Sequence, residues 1–142
     1  MLNIAKTKSM IPATKYLISD IMSTNLVLLN KSDHLSKAFI LFDKHKIRYL
    51  PVMDGEQLIG IISKSDLNKM KLDSEIAVED LMKFPTAVSP NDSIMTVAKI
   101  LSDAEYHSLP VIEKGKLLGI VTTTDIIKYL IEIKGDQNKL NH

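Results

Sequence analysis

The sequence has no cysteine, which removes disulfides, thiolate metal sites and thiol nucleophiles together. An excess of charge of one sign is missing as well: 18 basic and 17 acidic residues leave a net charge of +1. No broad field is therefore available to hold a nucleic-acid backbone or an anionic membrane. No apolar run approaches the roughly 18 residues of a membrane span, and Met1-Leu-Asn-Ile-Ala-Lys-Thr-Lys-Ser lacks the apolar core of a signal peptide. The expectation is a cytoplasmic protein with no nucleic-acid or membrane partner. Histidine is sparse, and His34, His45, His107 and His142 show no metal-ligand spacing. Serine, histidine and aspartate all occur, but without a Gly-x-Ser-x-Gly elbow or any pattern that sets a base beside a nucleophile. No structural metal, required cofactor or catalytic activity is expected.

What the sequence does contain is itself, twice. Gly60-Ile61-Ile62-Ser63-Lys64-Ser65-Asp66 returns 59 residues later as Gly119-Ile120-Val121-Thr122-Thr123-Thr124-Asp125. At the same offset Leu50-Pro51-Val52 returns as Leu109-Pro110-Val111, and Leu58 as Leu117, so 7 of the 18 positions from Leu50 to Leu67 are identical. A fixed period of this size marks a duplicated structural unit. Ile18-Ser19-Asp20-Ile21-Met22 matches Val78-Glu79-Asp80-Leu81-Met82 at offset 60, so one residue has been gained or lost between the blocks. A chain of 142 residues buries about 70% of its extended surface, while each repeat alone would be marginal. The two repeats are expected to share one core.

In chain order, residues 1–14 read as a loosely held arm, with Leu2, Ile4 and Ile11 able to dock on the body. Repeat one is assigned to 15–74, repeat two to 75–135, and 136–142 to a polar tail. A helical turn is expected at Ile18 to Met22, and a short strand at Leu26 to Leu29. Lys31-Ser32-Asp33 caps a helix from about His34 to Lys46, whose Leu35, Ala38, Phe39 and Phe42 share a face. Arg48 to Met53 reads as a strand, with Pro51 pointing to an edge or to an unused amide. A turn at Asp54-Gly55-Glu56 leads to a strand at Leu58 to Ile62, and a helix carrying Leu67 and Met70 ends before Asp73-Ser74-Glu75. Repeat two follows the same plan: Ala87-Val88, a cap at Asp92-Ser93, and a helix with Ile94, Val97, Ala98 and Leu101. Strands follow at His107 to Ile112 and Lys116 to Val121, joined at Lys114-Gly115. The last helix starts near Thr123 and is expected to close at Lys134-Gly135, a cation followed by a residue free to turn left-handed.

Ser63 with Asp66, and Thr122 with Asp125, each place a hydroxyl three residues before a carboxylate where a strand enters a helix. One reading is a capping box. The other is a ligand site: exposed amides and hydroxyls suit phosphate, and an ionised aspartate can accept from both hydroxyls of a ribose. A cap alone explains neither the glycine six residues earlier nor the extra hydroxyls of Ser65 and Thr124.

The doubled Asp-Ile/Leu-Met, Leu-Pro-Val and Gly-Ile-Ile/Val-Ser/Thr-x-x-Asp blocks resemble a tandem pair of CBS domains, the cystathionine β-synthase or Bateman module, over residues from about 15 to 135. The resemblance implies a mixed α/β (α+β) fold, with two β-α-β-β-α repeats packed about a pseudo-twofold axis. It also implies two clefts for adenine nucleotides or related adenosyl ligands: AMP, ADP, ATP or S-adenosylmethionine. One cleft would use Asp125 for ribose with Thr122 and Thr124, closed by Met22, Asn25, Val27, Ile47 and Arg48. The other would use Asp66, Ser63 and Ser65, closed by Phe84, Thr86 and Tyr106. Arg48 and His107, each three residues before a proline, match positions where the family often places phosphate-facing basic groups. In one departure, Asn25-Leu26-Val27-Leu28 lacks the proline and threonine of Pro85-Thr86. The implied role is a stand-alone regulatory module, dimeric and signalling to a separate regulated protein. The rival is a dimerising scaffold with the same fold and no ligand.

Overall fold

The computed structural model describes residues 16–70, 76–103 and 107–140, with side chains up to residue 136. The arm at 1–14, the Asp73-Ser74-Glu75 turn and Tyr106 lie outside the described residues. Repeat one comprises α1 (Ile18–Ile21), β1 (Leu29–Asn30), α2 (Leu35–Lys44), β2 (Tyr49–Asp54), β3 (Gln57–Ser63) and α3 (Lys64–Asn68). Repeat two comprises α4 (Val78–Leu81), α5 (Ile94–Asp103), β4 (Ser108–Glu113), β5 (Lys116–Thr122) and α6 (Thr123–Leu140). The strands form one mixed sheet in the order β1-β2-β3-β5-β4. Among the described residues no helix is long and apolar enough to cross a membrane.

Each repeat is built on an antiparallel hairpin, Leu50 opposite Ile62 in one and Leu109 opposite Val121 in the other, with a register shift at the same place in both. The connecting turns have two residues, and they differ. Gly55 takes φ 61 at the first turn position, whereas Lys114 and Gly115 both take positive φ, at 53 and 80. The second pattern is that of a type I′ turn, whose twist suits a hairpin. The hairpins meet near these turns, where Gln57 pairs with Lys116.

The first strand of each repeat is shorter than its apolar run. β1 pairs only Leu29 and Asn30 with Val52 and Met53, and in repeat two Val88 alone bridges Val111. Pro51 is therefore on an interior strand, one position beyond the reach of β1, while Pro110 is on the edge strand β4. Neither position needs its missing amide for a central ladder.

The expected single shared core is replaced by two. One cluster joins Leu35, Phe42, Leu50, Ile62 and Leu67 of repeat one to Val78, the first residue of α4. The other joins Val97, Leu109, Val111 and Val121 of repeat two to Ile18, the first residue of α1. Each repeat thus lends its leading helix to the other's core. Ile18 and Val78 are both fully buried, and each side chain contributes about 1.5 to 3 kcal/mol to the crossover. Both helices are only four residues long, and an aspartate closes each: Asp20 Oδ2 accepts from the Leu17 N–H at 3.0 Å, and Asp80 Oδ2 from the Ala77 N–H at 3.3 Å. This is the physical role of the doubled Asp-Ile/Leu-Met block. The bridges follow the pseudo-twofold: Leu17 to Ser93 mirrors Ala77 to His34, and Ser23 to Ile120 mirrors Lys83 to Ile61.

Two local expectations are corrected. The cap of α2 is His34, whose Nδ1 accepts from the Ser36 N–H at 3.1 Å, while Asp33 Oδ2 closes the preceding turn by accepting from the Asn30 N–H at 2.8 Å. In repeat two the cap is Ser93, as the sequence suggests, with Oγ accepting from the Thr96 N–H at 3.1 Å. The last helix does not close at Lys134-Gly135 but continues to Leu140, taking in most of the expected polar tail. A glycine inside a helix costs about 1 kcal/mol, which the following turn of helix-compatible residues can offset.

Candidate functional site

The hydroxyl and carboxylate pairs do cap helices. Ser63 Oγ accepts from the Asp66 N–H at 3.0 Å at the start of α3, and Thr122 Oγ1 accepts from the Asp125 N–H at 3.1 Å at the start of α6. In repeat two the box is reciprocal, since the Thr122 N–H donates to Asp125 Oδ2 at 2.9 Å. A carboxylate offers about four lone-pair positions, so a single cap contact leaves Asp125 with acceptor capacity toward a ligand. Capping and ligand binding are compatible roles for the same side chain.

The upstream glycines have a packing role. A Cβ at Gly60 would stand 2.7 Å from Met82 Sδ, and one at Gly119 would stand 2.7 Å from Met22 Sδ. Each motif glycine lets the leading segment of the opposite repeat lie flat on the strand. In repeat two that segment runs on as Lys83 to Thr86 beside the start of α3 and walls a cleft there, whereas at the start of α6 the wall from repeat one is Lys46 to Tyr49.

The first cleft, of 580 Å³, is lined by Ile47, Arg48, His107, Thr122 and Thr124, together with Lys46, Tyr49, Ser108, Ile120 and Thr123. Asp125 lies in the first turn of α6, next to Thr124 in the chain, and is not itself among the lining residues. Met22 is spent on Gly119, Val27 packs against the repeat-one core, and Asn25 is exposed; none of these three is among the lining residues. Arg48 and His107, related by the pseudo-twofold, face this one cleft together.

The second cleft, of 410 Å³, brings together Ser63, Ser65, Asp66, Phe84 and Thr86. Tyr49 and Ser108, which occupy equivalent positions in the two repeats, border both clefts and mark the axis between them. Lys83 also lines the second cleft, and sequence reasoning missed it. Its Nζ lies 3.0 Å from Asp66 Oδ2, and Lys69 Nζ lies 4.0 Å from Asp66 Oδ1. Lys83 holds the Asp66 carboxyl below its ordinary range, against the opposing effect of burial and with help from Ser63. The available signal was position: Lys83 follows the doubled Asp-Leu-Met block where repeat one has Ser23.

The clefts differ in charge. The lining of the first includes Lys46 and Arg48 and no acid, whereas the second balances Lys83 against Asp66. Among the described residues no cluster of three or more histidine, aspartate or glutamate side chains is arranged to hold a metal ion.

The family model of the CBS domain matches residues 18–73 and again 78–132. CBSX2 from Arabidopsis thaliana, solved in complex with AMP, is 27% identical with a TM-score of 0.76, the match covering 84% of this chain and 98% of that one. The CBS domain pair of MJ0100, solved with 5-methylthioadenosine and S-adenosyl-L-methionine, is 26% identical with a TM-score of 0.71, covering 83% of this chain and 97% of that one. An uncharacterised protein of Methanocaldococcus jannaschii, MJ1225, is 27% identical over 118 residues, which is 80% of this chain and 42% of the relative. The chain spans less than half the length of this and other curated relatives, down to 13%.

Proposed function

Because this chain belongs to the CBS-domain family, we propose that it is a regulatory module that binds an adenosine-containing ligand between its repeats. In this reading it works in the cytoplasm and passes the resulting change to a protein partner. The observation that carries the reading is the pairing within one cleft of a hydroxyl-hydroxyl-carboxylate helix start with the leading segment of the other repeat, as at Ser63, Ser65, Asp66, Phe84 and Thr86. Solved relatives that hold AMP, or S-adenosyl-L-methionine with 5-methylthioadenosine, support it. Ribose would hydrogen-bond to Asp125 in one cleft and Asp66 in the other, and Arg48 would meet phosphate in the first.

The deciding experiment is native mass spectrometry of protein purified from its source, followed by a thermal-shift panel of AMP, ADP, ATP and S-adenosylmethionine. Ligand at about 100 times its Kd should stabilise the fold by about 2.7 kcal/mol. A flat response across the panel, with no adenosyl ligand retained, refutes the reading.

One observation favours self-association, which the module and the rival scaffold share. α6 buries Ile126 and packs Tyr129 against the core, yet leaves Ile127, Leu130 and Ile131 at 52%, 57% and 67% exposure. A helix apolar on two sides calls for a second neighbour, and we assign that place to another copy of the chain. Light scattering that finds only monomer mass at micromolar concentration overturns the assignment. A dimer that binds no member of the ligand panel favours the scaffold.

A further inference from the structure

Lys83 and Ser23 occupy equivalent places. Each bridges the residue after a motif glycine, Ile61 for Lys83 and Ile120 for Ser23, through paired backbone hydrogen bonds of 2.8 and 2.9 Å. The backbone is the same, and the side chain is not. Lys83 carries an ammonium to 3.0 Å from Asp66 Oδ2, while Ser23 brings no charge to Asp125. A ribose hydroxyl that donates to Asp66 Oδ2 must therefore compete with a cation for the lone pairs of that oxygen. The Lys83 side chain is 77% exposed on a flexible four-carbon stem, so it can leave the carboxylate when another anion is within reach. A phosphate on the ligand is such an anion, and a neutral nucleoside offers none.

We propose that Lys83 is a specificity-determining residue that holds Asp66 against neutral adenosyl ligands and yields it to phosphorylated ones. The Asp66 cleft then selects for an anionic ligand by a lysine latch, which the Asp125 cleft has in no equivalent form among the described residues. The inference rests on the adenosyl-binding reading above, and its test separates the two.

The isoleucine that lines each cleft provides separate probes, Ile61 in the Asp66 cleft and Ile120 in the other. The δ1 methyl groups of labelled protein are followed by NMR during titration with adenosine and with AMP. Lys83→Ser, which installs the residue of repeat one, should tighten adenosine at Ile61 by about threefold, the size that a mostly exposed ion pair supports. It should weaken AMP at Ile61 by a similar factor, so the preference for AMP falls by about tenfold. The Ile120 curves should stay within about twofold, and Lys83→Arg should keep the wild-type preference. An unchanged ratio at Ile61, or equal movement of both probes, overturns the latch and leaves the adenosyl reading standing. If neither ligand moves either methyl at millimolar concentration, the adenosyl reading fails and takes the latch with it.

Discussion

Replacing the two motif glycines by alanine tests the exchange of leading segments directly, and the structure ranks the outcomes. At Gly60 the new Cβ would meet Met82 Sδ at 2.7 Å, Cγ at 2.8 Å and Cβ at 2.9 Å, all atoms of one side chain. At Gly119 it would meet Met22 Sδ at 2.7 Å and the backbone oxygen of Ser23 at 2.8 Å. Ordinary carbon contacts lie near 3.5 to 4.0 Å, so something must move in both variants. Re-rotation carries Met82 Sδ and Cγ away and leaves only Met82 Cβ to be relieved by a small backbone shift, but at Gly119 the Ser23 oxygen is pinned, because it accepts from the Ile120 N–H at 2.9 Å. Overpacking costs about 1 to 3 kcal/mol, less the roughly 0.4 to 1 kcal/mol gained by stiffening the unfolded chain. Gly119→Ala should therefore lose about 2 kcal/mol and Gly60→Ala about 1 kcal/mol, read as shifts in urea midpoint at constant m-value. Gly135→Ala is the control: it lies inside α6 with nothing within 4 Å of a new Cβ, and should gain about 1 kcal/mol. A Gly119→Ala variant as stable as wild type, or less affected than Gly60→Ala, would refute the claim that α1 is clamped on repeat two by close backbone approach.

Three further outcomes follow from the site and its surroundings. Asp125→Ala should weaken AMP by about 10- to 100-fold in calorimetry, since a hydrogen bond to a charged group is worth about 1.5 to 3 kcal/mol; unchanged affinity in both Asp125→Ala and Asp66→Ala would leave the carboxylates as helix caps alone. Arg48→Ala should weaken AMP or ATP by about tenfold and leave adenosine nearly unchanged, because a guanidinium pairs with phosphate oxygens and has little to offer a neutral nucleoside; equal losses would give Arg48 a structural role. The Asp33 carboxyl is held below its ordinary range, chiefly by the Asn30 N–H and, against the effect of burial, also by Lys37. A depressed folded-state value means stability that is present above the unfolded value near 4 and lost as pH falls through the folded one. Asp33→Asn should accordingly narrow the difference in urea midpoint between about pH 6 and pH 3; an unchanged difference would show that Asp33 takes no part in acid unfolding.

The fold was legible wherever a pattern is local. The helical spacing of Leu35, Ala38 and Phe42 and the doubled Leu-Pro-Val strands reappear in the structure because period and burial are set by neighbours in the chain. What is non-local was not legible. The apolar character of Ile18 and Val78 marks them as buried, but nothing in either residue says that its pocket belongs to the other repeat. Gly135 illustrates a different limit. A glycine ends a helix when the chain beyond it has somewhere else to go; here Asp136 and the following residues continue the helix, so permission to stop was not an instruction to stop.

The candidate site divides along the same line. Ser63 with Asp66 and Thr122 with Asp125 could be picked out by spacing, yet spacing alone posed capping and ligand binding as rivals. In the structure Thr122 occupies one acceptor position of Asp125, and the rest of the carboxylate is not required by the cap, so the two roles do not exclude each other. Lys83 was invisible for the opposite reason. An isolated lysine in a sequence reads as a solvated cation, and this one is mostly solvated; it matters because the bridge to Ile61 fixes its backbone beside Asp66, and that bridge exists only because Val78 anchors α4 in the first repeat's core. The Lys83–Asp66 pair is thus a consequence of the crossover. A chain with the same composition but with each leading segment on its own repeat would carry Ser23 beside Asp66 and Lys83 beside Asp125, while Lys46 and Arg48, which belong to no leading segment, would keep their places.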